Sequence, residues 1–220
     1  MDTALLFDLD GTLVDTEDTH FAAFVEVFAA HGVALDRAAY TARIMGYPSA
    51  AIAASFLPHL PPAEGMAIMA HKEAIYRGRV GGATPTAGTH ALLDFADRQG
   101  VAYALVTNAP YANAQAVLDA TGLTRRFAAI ISADDLAQSK PHPLPYLTGL
   151  AKLGAKAERS VAFEDARSGA RAAVAARIPL VGVTSSLDAA ALLDLGAVAA
   201  VRDFTDPRVR ELVERQLKGG

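Results

Sequence analysis

The sequence predicts an α/β fold, in which a parallel sheet is covered by helices on both faces and a small all-helical domain is inserted after the first strand. Beyond residue 88, short apolar runs alternate with helix-length segments, as in the βα units that build parallel sheets. Residues 18–79 show helical spacing and no strand pattern. We therefore predict a core domain of residues 1–16 and 83–220, and an inserted helical domain of residues 17–82.

The first strand is predicted by residues 1–7, which are mostly apolar and carry no charge except Asp2. Such a run is typical of a buried strand in a parallel sheet. Asp8 and Asp10 follow it, and residues at i and i+2 point the same way from the strand's carboxyl end, where open α/β sheets bind ligands. Two carboxylates so close repel unless a cation lies between them or their protonation states differ. Gly11 lets the backbone approach a ligand, and its N–H can face an anion.

The inserted segment begins with a predicted helix in which Phe21, Phe24 and Phe28 recur at helical spacing. Asp36 is placed to cap a second helix. Pro61-Pro62 then opens a long helix, because proline is tolerated in a first helical turn. Residues 81–86, which contain two glycines and a proline, predict a hinge-like linker.

After residue 88 the predicted elements alternate regularly, and the closing helix ends the chain. The predicted strands are 102–106, 128–131, 160–163, 179–183 and 198–201, and the predicted helices are 91–98, 112–120, 144–153, 169–176, 189–193 and 207–217.

Composition excludes several classes of protein. The 220 residues carry a net charge of −4, so the chain lacks the excess of positive charge that is typical of nucleic-acid-binding proteins. No cysteine is present, which excludes disulfides and thiolate chemistry. No run approaches the roughly 20 apolar residues of a membrane span. We expect a soluble cytoplasmic protein without nucleic-acid or membrane partners; its oligomeric state is not predicted.

Three later segments place polar groups at or near the ends of predicted strands. Thr107 and Asn108 follow strand 102–106 and offer side-chain donors for an anion, although such residues most often cap the next helix. Lys140 lies among prolines that stiffen the backbone and so aim its ammonium, which suits a phosphate group. Glu164 and Asp165 repeat the pattern of an apolar strand ending in carboxylates, the oxygen ligands that Mg²⁺ prefers.

The segment Asp8-Leu9-Asp10-Gly11-Thr12-Leu13-Val14-Asp15-Thr16 resembles the first motif of the haloacid dehalogenase superfamily, in its phosphatase branch. Thr107, Lys140 with its prolines, and Glu164-Asp165 are similar to the second, third and fourth motifs. The resemblance extends over essentially the whole chain and implies a Rossmann-like core with an inserted helical cap. The conjunction of four motifs in the family's order carries the assignment, because each motif alone has an ordinary structural explanation.

The resemblance also implies a function, a Mg²⁺-dependent phosphatase of small phosphorylated metabolites such as sugar phosphates or phosphoglycolate. Asp8 is then the nucleophile that forms an aspartyl-phosphate, and Asp10 the acid and base. The implied metal ligands are Asp8, the Asp10 carbonyl and Asp165, with Glu164 binding directly or orienting a water or the lysine. The implied phosphate-binding residues are Thr107, Asn108, Lys140 and Gly11.

Other functions remain open at this point. A β-phosphoglucomutase-like mutase also has a helical cap, and His20 occupies the place of that mutase's functional histidine. The segment after Gly46 lacks the arginine expected of the mutase, which favours a hydrolase. His20, Gly46 and Lys72 are candidate substrate contacts, although Lys72 has the pattern of solvated helix surface. A phospho-accepting receiver and a catalytically silent binding protein are the remaining alternatives.

Overall fold

The computed structural model describes residues 2–45 and 47–218. The chain forms two compact units, one of Met1–Asp15 with Ala83–Gly220 and one of Thr16–Gly82. The first break lies one residue before the predicted boundary, and the second coincides with it. That the two units act as a catalytic core and a cap stays a prediction.

The smaller unit is helical in its described residues. Its helices are α1 (Glu17–Ala29), α2 (Arg37–Arg43), α3 (Ser49–Phe56) and α4 (Pro62–Arg79). The predicted cap of α2 is confirmed, since the Asp36 carboxylate accepts a 2.7 Å hydrogen bond from the Ala39 N–H. Phe24, Phe28 and Phe56 belong to the buried apolar cluster of this unit, with Phe28 stacked on Phe56.

The larger unit is an α/β domain. Its strands are β1 (Ala4–Phe7), β2 (Val14–Asp15), β3 (Thr84–Pro85), β4 (Ala102–Val106), β5 (Ala129–Ile131), β6 (Val161–Glu164), β7 (Leu180–Val183) and β8 (Ala199–Val201), and its helices are α5 (Thr89–Gln99), α6 (Tyr111–Ala120), α7 (Leu144–Leu153), α8 (Arg167–Ala175), α9 (Ala189–Asp194) and α10 (Pro207–Lys218). The predicted α/β class and strand–helix alternation are confirmed.

Six strands form one parallel sheet in the order β5-β4-β1-β6-β7-β8. The register pairs Phe7 of β1 with Leu105 of β4 on one side and with Phe163 of β6 on the other. The strands that carry the first, second and fourth sequence motifs are therefore neighbours and end at the same edge. Every residue of β1 is buried, which explains its continuous apolar sequence.

An aromatic cluster supports the sheet beneath this edge. Phe7 stacks on Phe163 with ring centroids 4.7 Å apart, and Phe204 meets both rings edge-on. Tyr103 and Phe127 add two further edge-on contacts to Phe7. Such aromatic pairs contribute stability in addition to that of the apolar area that they bury. They therefore reinforce the pairing of β1 with β6.

The structure differs from the predicted linker at residues 84–86. Strand β3 pairs with β2 in a short antiparallel ribbon, with Val14 opposite Pro85 and Asp15 opposite Thr84. The Thr86 hydroxyl also donates to the Thr12 carbonyl at 2.7 Å. Two-residue strands lack the length that a sequence pattern needs, which is why the segment resembles a linker.

Among residues 2–45 and 47–218, no helix combines the length and apolarity that crossing a bilayer requires.

Candidate active site

Three carboxyl groups meet at the carboxyl ends of the two central strands. Asp8 follows β1, Glu164 ends β6, and Asp165 follows it; each offers an oxygen within 4.8 Å of the other two. Glu164 and Asp165 are 1% and 2% exposed, and Asp8 is 9% exposed. Buried carboxylates this close need positive charge or protons to coexist. The structure thus brings together Asp8 of the first motif and both acidic residues of the fourth.

Lys140 supplies one positive charge to this cluster. Its Nζ donates to Asp8 Oδ1 at 2.6 Å, to Glu164 Oε1 at 2.5 Å and to the Val106 carbonyl at 2.6 Å. The three bonds use all three N–H groups of an ammonium. Burial alone would lower the pKa of Lys140, but the two carboxylates outweigh it, and the pKa is raised. The lysine is therefore held charged beside Asp8.

Asn108 fixes the backbone from which Lys140 extends. Its side-chain oxygen accepts from the Lys140 N–H at 3.0 Å, and its side-chain nitrogen donates to the Lys140 carbonyl at 3.1 Å. The sequence suggested this amide as a donor to an anion. The structure pairs its oxygen and one N–H with Lys140, which places the lysine, and anion binding by its second N–H stays a prediction.

Thr107 is buried directly beyond β4, and its backbone N–H donates to the Ile131 carbonyl of β5. Its hydroxyl oxygen accepts from the Ala109 N–H at 2.9 Å. This is a local turn before α6 and not the helix cap that the sequence offered as the alternative, because the N-cap of α6 is Pro110 and no side chain caps it. The hydroxyl proton can still donate, so a role in anion binding is compatible with this geometry.

Asp165 is surrounded by hydroxyl groups from two loops. Thr12 donates to Asp165 Oδ1 at 3.0 Å, Ser185 contacts Oδ2 at 3.1 Å, and Ser186 makes a short hydrogen bond to Oδ2. The two serines follow β7, and our sequence interpretation did not include them. The signal that could have found them is their position at the end of a predicted parallel strand.

Gly11 makes room for Asp165. A Cβ at Gly11 would lie 2.2 Å from Asp165 Oδ2, and its φ of +77° is in the region that favours glycine. The Gly11 N–H, which the sequence suggested for an anion, donates to the Val14 carbonyl at 2.9 Å. The expected donor is therefore already paired, and the observed role of Gly11 is to permit the approach of Asp165.

Glu164 is enclosed by α7 and α8, the helices that precede and follow its strand in the sequence. Tyr146 of α7 donates its hydroxyl to Glu164 Oε1 at 2.6 Å. Gly169 of α8 leaves the space that the carboxyl group fills, since a Cβ there would lie 1.9–2.0 Å from its atoms. Tyr146 was not predicted, because a tyrosine within an apolar helix resembles ordinary core.

The close fit at Gly169 yields a prediction about stability. Gly169→Ala is expected to displace the Glu164 carboxyl group and to lower the free energy of unfolding by about 1–3 kcal/mol, the usual cost of overpacking. Urea denaturation followed by circular dichroism measures it. The matched control is Gly78→Ala in α4, where nothing lies within 4 Å and alanine is favoured over glycine in a helix. Equal stability of the two variants would contradict the close packing of the Glu164 carboxyl group against Gly169.

Asp10 is half-buried two residues after Asp8. Its charge contributes to raising the pKa of Asp8, although burial is the main cause and Lys140 opposes both. Its carboxylate is not part of the Asp8–Glu164–Asp165 cluster. The structure thus places Asp10 near the nucleophile candidate, and its roles as acid, base and carbonyl ligand stay predictions.

The charges of the cluster fit a divalent cation. Burial, and then the charge of Asp8, raise the pKa of Asp165 to about 7 and that of Glu164 to about 8. One ammonium thus leaves the three carboxyl groups short of positive charge. Their oxygens are hard ligands of the type that Mg²⁺ binds, and they lie near enough to one another to share an ion. The residues present therefore fit a magnesium site.

Lys72, one of the candidate substrate residues of the helical unit, has a different environment from the one predicted. Lys72 is 2% exposed, which corrects the expectation of solvated surface. Its Nζ lies 2.9 Å from His20 Nδ1, donates to Glu73 and lies over the Phe24 ring. Its aliphatic stem and the aromatic lining explain how the helix buries it. His20 also stacks on Tyr76. Gly46 lies outside the described residues.

Comparison with known proteins places this arrangement in a family. Residues 5–183 match the model of the haloacid dehalogenase-like hydrolases. Validoxylamine A 7'-phosphate phosphatase of Streptomyces hygroscopicus subsp. limoneus is 32% identical over 209 residues, covering 92% of this chain and 94% of the relative. A phosphorylated carbohydrates phosphatase of Thermotoga maritima is 33% identical, covering 90% and 94%.

A solved structure agrees with these sequence matches. CbbY from Rhodobacter sphaeroides in complex with phosphate superposes with a TM-score of 0.81 at 30% identity, covering 94% of this chain and 96% of that one. The family model covers most of the chain, from the strand that precedes Asp8 to the strand that precedes Ser185. This protein is a member of the haloacid dehalogenase-like hydrolase family.

Proposed function

We propose that the chain is a Mg²⁺-dependent phosphatase that hydrolyses small phosphomonoesters through an aspartyl-phosphate on Asp8. The observation that carries the proposal is the buried cluster in which Lys140 joins Asp8 to Glu164, with Asp165 alongside. A nucleophilic carboxylate, a fixed cation and acidic metal ligands are the groups that phosphoryl transfer requires. The resemblance of the four motifs and the phosphatase names of the relatives support it.

In the proposed first step, a carboxylate oxygen of Asp8 attacks phosphorus while the bond from phosphorus to the leaving alkoxide breaks. Asp10 donates its proton to that alkoxide and becomes a carboxylate. Lys140 stays protonated and hydrogen-bonded to Asp8, which keeps the carboxylate aimed and offsets its repulsion from the phosphate dianion. The hydroxyl proton of Thr107 can bind a phosphate oxygen.

In the second step, Asp10 accepts a proton from water as that water attacks the phosphorus of the aspartyl-phosphate. The acyl-phosphate bond breaks, inorganic phosphate leaves, and Asp8 returns as a carboxylate. Asp8, Asp165 and the Asp10 carbonyl would hold Mg²⁺, with Glu164 binding directly or keeping Lys140 in place. The bound ion supplies charge stabilisation for the phosphate oxygens.

The substrate class follows from two relatives that match nearly the whole chain and are named for phosphorylated carbohydrates and for validoxylamine A 7'-phosphate. We propose that the substrate is a phosphorylated, hydroxyl-rich metabolite, and that phosphoglycolate-like acids are the second candidate class. His20 and Lys72 stay predicted substrate contacts.

The test is to incubate the purified protein with a panel of phosphorylated metabolites and to measure inorganic phosphate. Release from sugar phosphates supports the proposal. Conversion of one phosphosugar into its isomer without phosphate release would identify the mutase alternative. Stable self-phosphorylation by a small acyl phosphate, without turnover, would identify the receiver.

Removal of divalent ions is expected to abolish phosphate release, and Mg²⁺ is expected to restore it. Because the pKa values of Asp165 and Glu164 are raised to about 7 and about 8, ion binding should displace protons at pH 7 and fewer at pH 9, where both groups are already ionised. Titration calorimetry in two buffers of different ionisation enthalpy measures this release. Full turnover in the presence of a chelator would contradict the metal requirement.

A further inference from the structure

The loop after β7 contributes two hydroxyl groups to the acidic cluster, and the proposed mechanism does not use them. Ser186 makes a short hydrogen bond to Asp165 Oδ2, and Ser185 Oγ lies 3.1 Å from the same oxygen. Thr12 binds the other oxygen, Oδ1, from the turn after β1. Asp165 is thereby held from two loops that are distant in sequence.

The loop is fixed at both ends, so these contacts are built into the fold. At its start, the Thr184 N–H donates to the Val201 carbonyl of β8. At its end, Asp188 caps α9 by accepting from the Ala191 N–H at 2.8 Å. The pairing of β6 with β7 sets Glu164 opposite Gly182, which places the residues after β7 beside Asp165.

Ser185 also reaches the turn that carries the first motif. Its Oγ lies 2.5 Å from the Gly11 carbonyl as well as 3.1 Å from Asp165 Oδ2. A serine hydroxyl has one proton, so it donates to one of these acceptors at a time. Ser186 therefore makes the dedicated bond to Asp165, and Ser185 links Asp165 to the Gly11 turn.

We propose that Ser185 and Ser186 are positioning residues, which hold the Asp165 carboxylate in the orientation that lets it share a divalent cation with Asp8. The inference rests on the metal site of the proposed function. Groups that hydrogen-bond a metal-binding carboxylate fix its direction, and their loss commonly costs 10- to 100-fold in metal affinity. Ser186 is expected to have the larger effect, because Ser185 divides its proton between two acceptors.

The test measures the Mg²⁺ dissociation constant of the whole protein by calorimetry, without substrate. Ser186→Ala should weaken Mg²⁺ binding by about tenfold, and Ser185→Ala by less. Ser186→Thr keeps the hydroxyl and should restore the affinity close to that of the wild type. The melting temperature of each metal-free variant is recorded in parallel.

Ser160→Ala is the matched control. Ser160 is buried, and its hydroxyl accepts from the Ala4 N–H at 3.1 Å, at the opposite end of β1 from the acidic cluster. This variant should lose thermal stability and keep its Mg²⁺ affinity. Together, the control and the threonine rescue separate positioning of Asp165 from general destabilisation.

Unchanged Mg²⁺ affinity in Ser186→Ala, with normal binding by the wild type, would overturn the positioning role and leave the proposed phosphatase intact. An equal loss of affinity in Ser160→Ala would also overturn it, because the loss would then follow stability. If the wild type itself bound no Mg²⁺, the metal site would fail first and the positioning role with it.

Discussion

Asp8→Asn is expected to abolish phosphate release, with a loss on the order of 10⁴- to 10⁶-fold in kcat, as when a covalent nucleophile is removed. The substitution keeps the shape of the side chain, and the amide oxygen can still accept from Lys140, which binds Asp8 Oδ1 at 2.6 Å. What disappears is the anionic oxygen that attacks phosphorus. Phosphate release under saturating substrate and Mg²⁺ measures the effect.

The matched control for this variant is Asp94→Asn. It removes an exposed carboxylate of α5 that forms an ion pair with Arg126. It should retain wild-type turnover, because surface ion pairs contribute little. The Asp8→Asn protein should remain folded, because Glu164 still forms an ion pair with the Lys140 ammonium. Turnover by a folded Asp8→Asn protein within tenfold of the wild type would contradict the nucleophile assignment.

Lys140→Met is expected to impair both folding and catalysis. The variant leaves the Asp8 and Glu164 carboxyl groups without the ammonium that binds both. Removing one member of a buried ion pair costs roughly 3–5 kcal/mol of stability. A lost stabilising charge in the site should lower kcat by a further 10²- to 10³-fold, roughly the effect of deleting one oxyanion donor. Urea denaturation and phosphate release measure the two effects separately.

The destabilisation of Lys140→Met should depend on pH in a defined direction. Burial already raises the pKa of Glu164 to about 8 from its ordinary value of 4.5, and loss of the lysine should raise it further. At pH 5 the folded variant can keep these carboxyl groups protonated, so the cost is small. As pH rises towards 8 the unfolded chain releases the protons first, and stability falls.

Lys152→Met, in the exposed last turn of α7, is the control for the loss of a lysine. Its stability should follow that of the wild type across the same pH range. A Lys140→Met protein whose stability deficit stayed constant from pH 5 to pH 8 would contradict the charge-balance account of the cluster.

The strand-end residues could be predicted from sequence because their placement depends on local pattern and a topological rule. Apolar runs before Asp8 and Asp165 identify buried strands, and parallel strands present their carboxyl ends at one edge. The sequence does not state which strands are neighbours. The order that sets β1 between β4 and β6 is what brings Asp8 within reach of Asp165.

The partners of these residues could not be predicted, because they depend on contacts between distant segments. Ser185 and Ser186 follow a predicted strand, but their contact with Asp165 depends on the pairing of β7 with β6, which the sequence does not state. The Asn108 side chain has the N–H donors expected of an anion-binding residue, but its contacts with Lys140 depend on how two loops meet.

The burial of Lys72 in the helical unit could not be predicted from the sequence either. A lysine on a helix resembles solvated surface, yet the Lys72 ammonium lies over the rings of Phe24 and Tyr76. The same ammonium also contacts His20 and Glu73. Burial of a long charged side chain depends on which helix faces it, and helical periodicity alone does not identify that neighbour.

The most direct measurement of the central claim is to trap the covalent intermediate. Wild-type protein is mixed with excess substrate and Mg²⁺, quenched in acid during turnover, and treated with borohydride, which reduces an acyl phosphate to an alcohol. Mass spectrometry of the peptide containing residues 2–37 should find homoserine in place of Asp8 and an unmodified Asp10. Continued phosphate release with no modification at Asp8, or with the modification at another carboxylate, would contradict the account.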